Sequence, residues 1–499
     1  MSLQRRHFTA LAASAAATPL LLGEAVAQTR KDQVTLGMVL EPTGLDPTTG
    51  AAAAIGEIVH YNILEGLTRI GVDGAVTPLL AQDWSSDPDG KVYAFRLRPG
   101  VKFSDGTVMD SAAVRFSFER AKAEGSTNKA KRAVFDNISS IATPSADTVI
   151  LTLNNADGTL PFRLGENTAV ILSPKSAAST NTNPVGTGPF KLENWAKGSA
   201  VTLSRWDGYR DAAKIKLRRA SFRFINDPAA QVAALLAGDI DGMPRFGAVQ
   251  NLKQFQADKR FTVEMGSTAG KGIMTINNQR KPLDDVRVRR ALAHAIDRKA
   301  FIDGVLEGLG RPIGSHAAPT DLGYVDLTGM YAFDPDKSRA LLREAGITTP
   351  LNLTLTLPPP QYARKGGEVI AAMLAKVGIN AKLENVEWAQ WLGGTFKGNF
   401  DLTIINHVEP LDFIQYANPQ YYWGYRNPAF NALVQRMAEA PKGPQRVKLY
   451  GDIQRQLATD CANVFIFNPA QVAVSRRGLK GLWASSPIFA NDLTSVSWA

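Results

Sequence analysis

Few residue groupings in this chain have the spacing that covalent chemistry needs. Ser126-Thr127-Asn128-Lys129 shows the Ser-x-x-Lys interval of penicillin-interacting serine enzymes, but no Lys-Thr-Gly accompanies it and its surroundings are polar. The stretch from Gly266 to Gly272 contains Gly270-Lys271, yet it has three residues between its glycines where a phosphate loop has four, and no Ser or Thr follows Lys271. There is no Gly-x-Ser-x-Gly and no His-Glu-x-x-His. His60, His294, His316 and His407 show no metal-ligand spacing. No catalytic residue, metal site, nucleotide site or cofactor is therefore expected, and the side chains of interest are those that hold a molecule.

The elements that would position them change character along the chain. Residues 34–39 read as a strand leading into the loop Glu41-Pro42-Thr43-Gly44-Leu45-Asp46-Pro47, followed by a helix over 52–65. A β-rich stretch comes next, with turns at Val72-Asp73-Gly74 and Asp89-Gly90 and with Tyr93, Phe95 and Leu97 on one strand face. Ser111 is read as the cap of a helix reaching residue 124, and residues 147–153 alternate again. Asn183-Pro184-Val185-Gly186-Thr187-Gly188-Pro189-Phe190 breaks the pattern and reads as a boundary. A helix over 228–237 should stop at Gly238. The second half is α/β: Asp285, Asp297 and Asp334 stand before helical patterns, residues 351–357 and 379–383 are strands around a helix over 369–377, and residues 400–405 and 464–467 are further strands. A β-rich first half and an α/β second half predict two lobes of different build.

The first residues bear on the compartment. Arg5-Arg6, the apolar run 10–22 and Ala25-Val26-Ala27 have the layout of a cleaved secretory signal, with the cut after Ala27. Arg5-Arg6-His7-Phe8 resembles a twin-arginine core, although Gln4 and Thr9-Ala10 depart from that pattern, so both export routes stay open. Cys461 is the only cysteine, which rules out an internal disulfide and a lipid anchor at the cleavage site, so a freely diffusing monomer is expected. About 470 residues beyond Ala27 exceed what one core serves. With 44% hydrophobic and 20% charged residues the chain is globular, and its net charge of +10 is spread among acids, which argues against nucleic acid as a partner.

Six separated blocks, in order, carry a resemblance. Glu41-Pro42-x-x-Leu45-Asp46-Pro47 and Glu65-Gly66-Leu67-Thr68-Arg69 open the series. Leu97-Arg98-Pro99-Gly100-Val101-Lys102-Phe103-Ser104-Asp105-Gly106 continues into Val114-Arg115-Phe116-Ser117-Phe118-Glu119-Arg120. Pro184-Val185-Gly186-Thr187-Gly188-Pro189-Phe190, then Asp284-Asp285-Val286-Arg287-Val288-Arg289 through Asp297-Arg298, and Gly424-Tyr425-Arg426-Asn427-Pro428 complete it. Over residues 34–480 the chain resembles the peptide-type class of bacterial ABC-importer solute-binding proteins, family 5, whose members bind dipeptides, oligopeptides or nickel chelates. By themselves the glycines and prolines of these blocks are read as turn formers, and Phe116 and Phe118 as core.

The resemblance implies an α/β, two-lobed periplasmic binding protein fold with an extra β-rich domain in the first lobe. It divides the chain into a signal peptide (1–27), lobe I (28–66), the extra domain (67–186), lobe I again (187–276), lobe II (277–469) and a last lobe I segment (470–499), with crossings near 272–277 and 467–472. It implies a periplasmic protein that encloses a peptide or peptide-like solute and presents it to permease subunits of the inner membrane, with ATP hydrolysed by partner subunits. A different solute on the same fold (a nickel chelate, an opine or a sugar) and a sensor or chaperone role remain open.

In peptide-binding members a carboxylate in the loop after the strand at 400–405 meets the ligand's amino terminus, in a Gly-Trp...Asp...Asp-Pro pattern. Here the loop reads Asn406-His407-Val408-Glu409-Pro410-Leu411-Asp412-Phe413, without Gly-Trp, so Glu409 and Asp412 are the candidates for a cationic group. Trp388 and Tyr416, within an aromatic stretch that includes Trp391, Tyr421, Tyr422, Trp423 and Tyr425, are candidate walls, some of them core. Thr43-Gly44 is a candidate backbone contact from the first lobe. His407 is a candidate because some relatives use a cleft histidine for chelated nickel; its residue-level reading is a polar packing group.

Overall fold

The computed structural model describes residues 31–499 except residues 51, 322, 441 and 442, so the export segment and cleavage site read at residues 1–27 lie outside the described residues. Two sheet systems share one long strand. In the first, Gln33–Met38 lies between Arg219–Phe224 and Gly242–Met243, parallel to both, and Ala200–Arg205 and Phe190–Ala196 extend the sheet on the Arg219–Phe224 side. Its core is built from Leu36, Ile55, Ile58, Leu203 and Phe222. In the second, Leu351–Leu357 lies between Ile379–Asn385 and Leu402–His407 in parallel, and Leu402–His407 pairs Lys271–Ile276 antiparallel. Leu353, Leu355 and Leu357 face the helices Val286–Ala295, Arg298–Val305 and Gln361–Ala375 in one core.

The strand Val464–Arg476 belongs to both systems. Its first residues pair with Lys271–Ile276 and its last with Phe261–Ser267, so the two crossings between lobes lie at residues 268–270 and 468–469. They are tied to each other: Asn468 Nδ2 donates to the carbonyls of Thr268 (2.8 Å) and Gly270 (2.7 Å), and Thr268 Oγ1 donates to Pro469 O (3.1 Å). The sequence reading set the crossings at 272–277 and 467–472; here Lys271–Ile276 is wholly a strand of the second sheet.

The extra domain is a four-stranded antiparallel sheet, ordered Ala81–Ser86, Val92–Leu97, Thr148–Leu153, Ile138–Ser145 and covered by the helix Ser111–Lys122. Tyr93, Phe95 and Leu97 are buried against Phe118, as their alternation predicts. Capping follows side-chain chemistry: Asp285, Asp297 and Asp334 accept from backbone N–H groups at the starts of their helices. The cap of the helix Ser111–Lys122 is Asp110, one residue before the serine expected there. Gly186 and Gly188 pass so close to the backbone of residues 62–63 that an added Cβ would lie 1.9 Å from Ile63 O and 2.6 Å from Asn62 O, which explains the glycines of that block.

One expected helix is cut short. The pattern at 52–65 forms helix only over Ala53–Val59. Tyr61 turns left-handed (φ 64°), and Asn62 Nδ2 takes the Ile58 carbonyl at 2.9 Å. The break puts His60 on a cavity wall and Tyr61 OH on Gly165 O at 3.0 Å. Among the described residues no helix is long and apolar enough to cross a membrane.

Candidate functional site

A cavity of about 450 Å³ opens where the crossings, both lobes and the extra domain meet, within the range of roughly 300–1,000 Å³ usual for small-molecule sites. The extra domain contributes Lys129, Arg163 and Glu166, lobe I contributes Arg245 and Phe489, the crossings contribute residues 268–270 and Pro469, and lobe II contributes the loop from Asn406 to Gln415 with Tyr421.

Of the residues expected at a site, Glu409 and Asp412 reach this cavity. Glu409 is exposed, and its Oε2 accepts from Val408 N at 3.2 Å. Asp412 is buried and committed inward. Lys271 Nζ, 1% exposed at the side chain, stands 2.9 Å from Asp412 Oδ1 and donates to Glu409 O at 2.7 Å. His316 Nε2 lies 3.0 Å from Asp412 Oδ1, and His407 Nδ1 lies 3.0 Å from Oδ2. Behind this first ring, His407 Nε2 meets Tyr422 OH at 2.9 Å, His316 Nδ1 meets Tyr416 OH at 3.1 Å, and Asn463 Nδ2 donates to Tyr416 OH at 2.7 Å.

Electrostatics agree with a closed network. Burial would raise Asp412, but the neighbouring His316 and Lys271 outweigh it and hold the carboxyl well below the usual carboxylate range. Burial lowers His316 to about 4 against the pull of Asp412. Two imidazoles and a carboxylate within 4.8 Å have the donor types of a metal site. The cation present there is the Lys271 ammonium, which already neutralises Asp412.

The other expected residues do not line the cavity. Tyr416 is 1% exposed and stacked on Trp423 at 4.1 Å, and His407 sits within the network behind the wall. Gly44 packs on Asn181, where an added Cβ would lie 1.8 Å from Oδ1, and neither it nor exposed Thr43 reaches the cavity. Trp388 is 42% exposed beside Trp391 on an outer helix.

Sequence reasoning missed the residues that come from far away along the chain. Arg163 bridges the lobes, its Nη1 3.3 Å from Glu166 Oε2 and donating to Pro410 O at 3.2 Å. Arg245 lies 3.0 Å from Glu57 and donates to Ser486 Oγ at 3.0 Å, over the Phe489 ring. His60 is fully buried, and burial, helped by the Arg69 charge, lowers it to about 3. Lys271 appeared in the sequence only as a failed phosphate-loop lysine, with nothing local to pair it with Asp412.

Residues 75–427, more than half of the chain, match the family described as bacterial extracellular solute-binding proteins, family 5. The chain belongs to that family. Among the relatives of this family 5 protein, the dipeptide-binding protein of Escherichia coli (strain K12) is 28% identical over 502 residues, covering 91% of this chain and 92% of that protein. The ABC transporter-associated periplasmic binding protein DppA from Helicobacter pylori, solved with the peptide STSA, is 25% identical with a TM-score of 0.75, covering 95% of this chain and 99% of that one. The PBP AgaA from A. tumefaciens R10, solved with agropinic acid, is 26% identical with a TM-score of 0.75, covering 94% and 98%. The two-lobed fold is thus that of the family 5 solute-binding proteins, a family defined by binding and not by a reaction.

Proposed function

We propose that this protein is the periplasmic solute-binding component of an ABC importer and that it captures a peptide or peptide-like solute in the cavity between its lobes. The observation that carries the reading is the cavity itself: it is lined from the extra domain, both lobes and both crossings, so only the closed arrangement offers a solute all its contacts. Solute binding then favours closure, and a permease recognises the aligned lobes. The likeness to dipeptide-binding relatives supports a peptide, and the exposed acid Glu409 in the loop Glu409 to Asp412 supports recognition of the solute's cationic group. Export through a cleaved signal and a monomeric state are part of the same reading.

The test is mass spectrometry, under native conditions, of protein taken from the periplasm. Short peptides released from it carry the reading. An opine-like acid or a metal chelate would move the solute to another class, and growth on the identified solute that survives deletion of the gene would argue against import.

A further inference from the structure

The extra domain is fastened to lobe I: Arg120 Nη2 meets Asp46 Oδ2 at 2.8 Å, and Tyr61 OH donates to Gly165 O at 3.0 Å. It also reaches across to lobe II. Arg163 on the extra domain donates to Pro410 O of lobe II at 3.2 Å. In return Arg446, on the lobe II helix Pro444–Thr459, donates from Nη1 to Gly158 O of the extra domain. Each guanidinium takes a backbone carbonyl of the opposite body, so the exchange is reciprocal.

Backbone comes close on the same seam. An added Cβ would lie 2.4 Å from Thr320 O at Gly74, 3.1 Å from Ala438 O at Gly90, and 2.8 Å from Ala438 O and 2.6 Å from Arg446 Cζ at Gly158. The turns Val72-Asp73-Gly74 and Asp89-Gly90, which hairpin geometry alone explains in the sequence, are therefore also points where the extra domain meets lobe II. Trp84 and Phe162 from the extra domain and Phe413, Met437, Val447 and Tyr450 from lobe II line a chamber of about 140 Å³ there, which shares Pro410 and Pro487 with the solute cavity. Parting the lobes turns these apolar groups to water, and docking them removes that surface whether or not a solute is present.

We infer that the extra domain is a clamp: its turns at Gly74, Gly90 and Gly158 and the exchange between Arg163 and Arg446 hold a fraction of the solute-free molecules closed. Closure then does not depend on the solute alone. The clamp acts on the closed form with or without a solute, so it shifts the closing equilibrium of both by the same factor. The inference goes beyond the reading of the cavity and is independent of which solute fills it.

Gly158→Ala is the sharpest probe, because the atoms nearest the new methyl belong to Arg446 and Ala438 of lobe II. Dyes on Ser140→Cys and Ala375→Cys, both exposed, report the separation of the lobes in single molecules, while buried Cys461 stays unlabelled. The protein is freed of solute by dialysis in guanidinium and refolding, and native mass spectrometry confirms that it is empty. The parent should show a closed population beside the open one, about a tenth of the molecules or more. Gly158→Ala should lower the ratio of closed to open molecules at least about tenfold. Arg446→Gln removes the donor without adding bulk and should lower the ratio in the same direction, which guards against a folding defect in the first variant. Gly304→Ala, on the lobe II helix Arg298–Val305 with nothing within 4 Å of its added Cβ, should leave the ratio unchanged. A parent with no closed population overturns the clamp, and so does a ratio that both seam variants leave intact or that Gly304→Ala lowers as much as they do.

Discussion

Replacing Lys271 by Met removes the one ammonium that meets Asp412 while keeping most of the side chain's volume. The pair is nearly dry, with the two side chains 1% and 8% exposed and 2.9 Å apart. Deleting one partner of such a pair leaves a buried charge unmatched and costs about 3–5 kcal/mol. For a folding unit the size of lobe II, that lowers its thermal transition by roughly 6–20 °C. The penalty has a pH signature. The Lys271 charge is one of the influences that lower His316, which burial holds at about 4; without it the imidazole gains protons more readily and can take over as the cation beside Asp412. Urea titrations at pH 8 and pH 5.5 should therefore show a smaller Lys271→Met penalty at the lower pH. The double variant Lys271→Met/Asp412→Asn should lose far less stability than the sum of the single changes, because neither charge is stranded. A Lys271→Met penalty below about 1 kcal/mol at pH 8, or strict additivity in the double variant, would show that Asp412 finds its cation elsewhere.

Three further outcomes follow from the structure. The parent protein should lose stability on acidification: His60 and His316 are held at about 3 and about 4 against an ordinary 6.5, so the folded state binds fewer protons than the unfolded one. Their contribution is full above about pH 6.5 and falls by about 2 kcal/mol each by pH 5, and denaturation from pH 7.5 to 5 should show His60→Phe with a shallower decline; an equal slope would place the titrating groups elsewhere. Peptide binding should close the lobes about residues 268–270 and 468–469, seen as a smaller radius in small-angle scattering, and an unchanged profile at saturation would contradict closure. Protein exported to the periplasm should begin near Gln28 without a lipid, and intact-mass analysis showing a retained or acylated terminus would overturn that.

Elements whose signals are local were legible without the fold. Asp285, Asp297 and Asp334 before apolar periodicity meant helix starts because a capping carboxylate acts on N–H groups within three residues. The alternation of Tyr93, Phe95 and Leu97 meant a buried strand face for the same reason of short range. Where the local pattern misled, a distant contact had overridden it: the helix ending at Val59 stops where Asn62 takes the Ile58 carbonyl and also donates to Asn491 O.

The sequence by itself determined the family and the two-lobed build, since those are properties of ordered blocks and local patterns; it also singled out the loop from Glu409 to Asp412, whose two acids the structure brings to the cavity wall. Only the tertiary structure decided which acid in that loop is free. Lys271, His316 and His407 reach Asp412 from across the second sheet system and along the chain, and Lys129 faces Glu409's cavity from the extra domain. Whether a charge is available depends on what stands within a few ångströms of it after desolvation, and that distance is not written in sequence spacing.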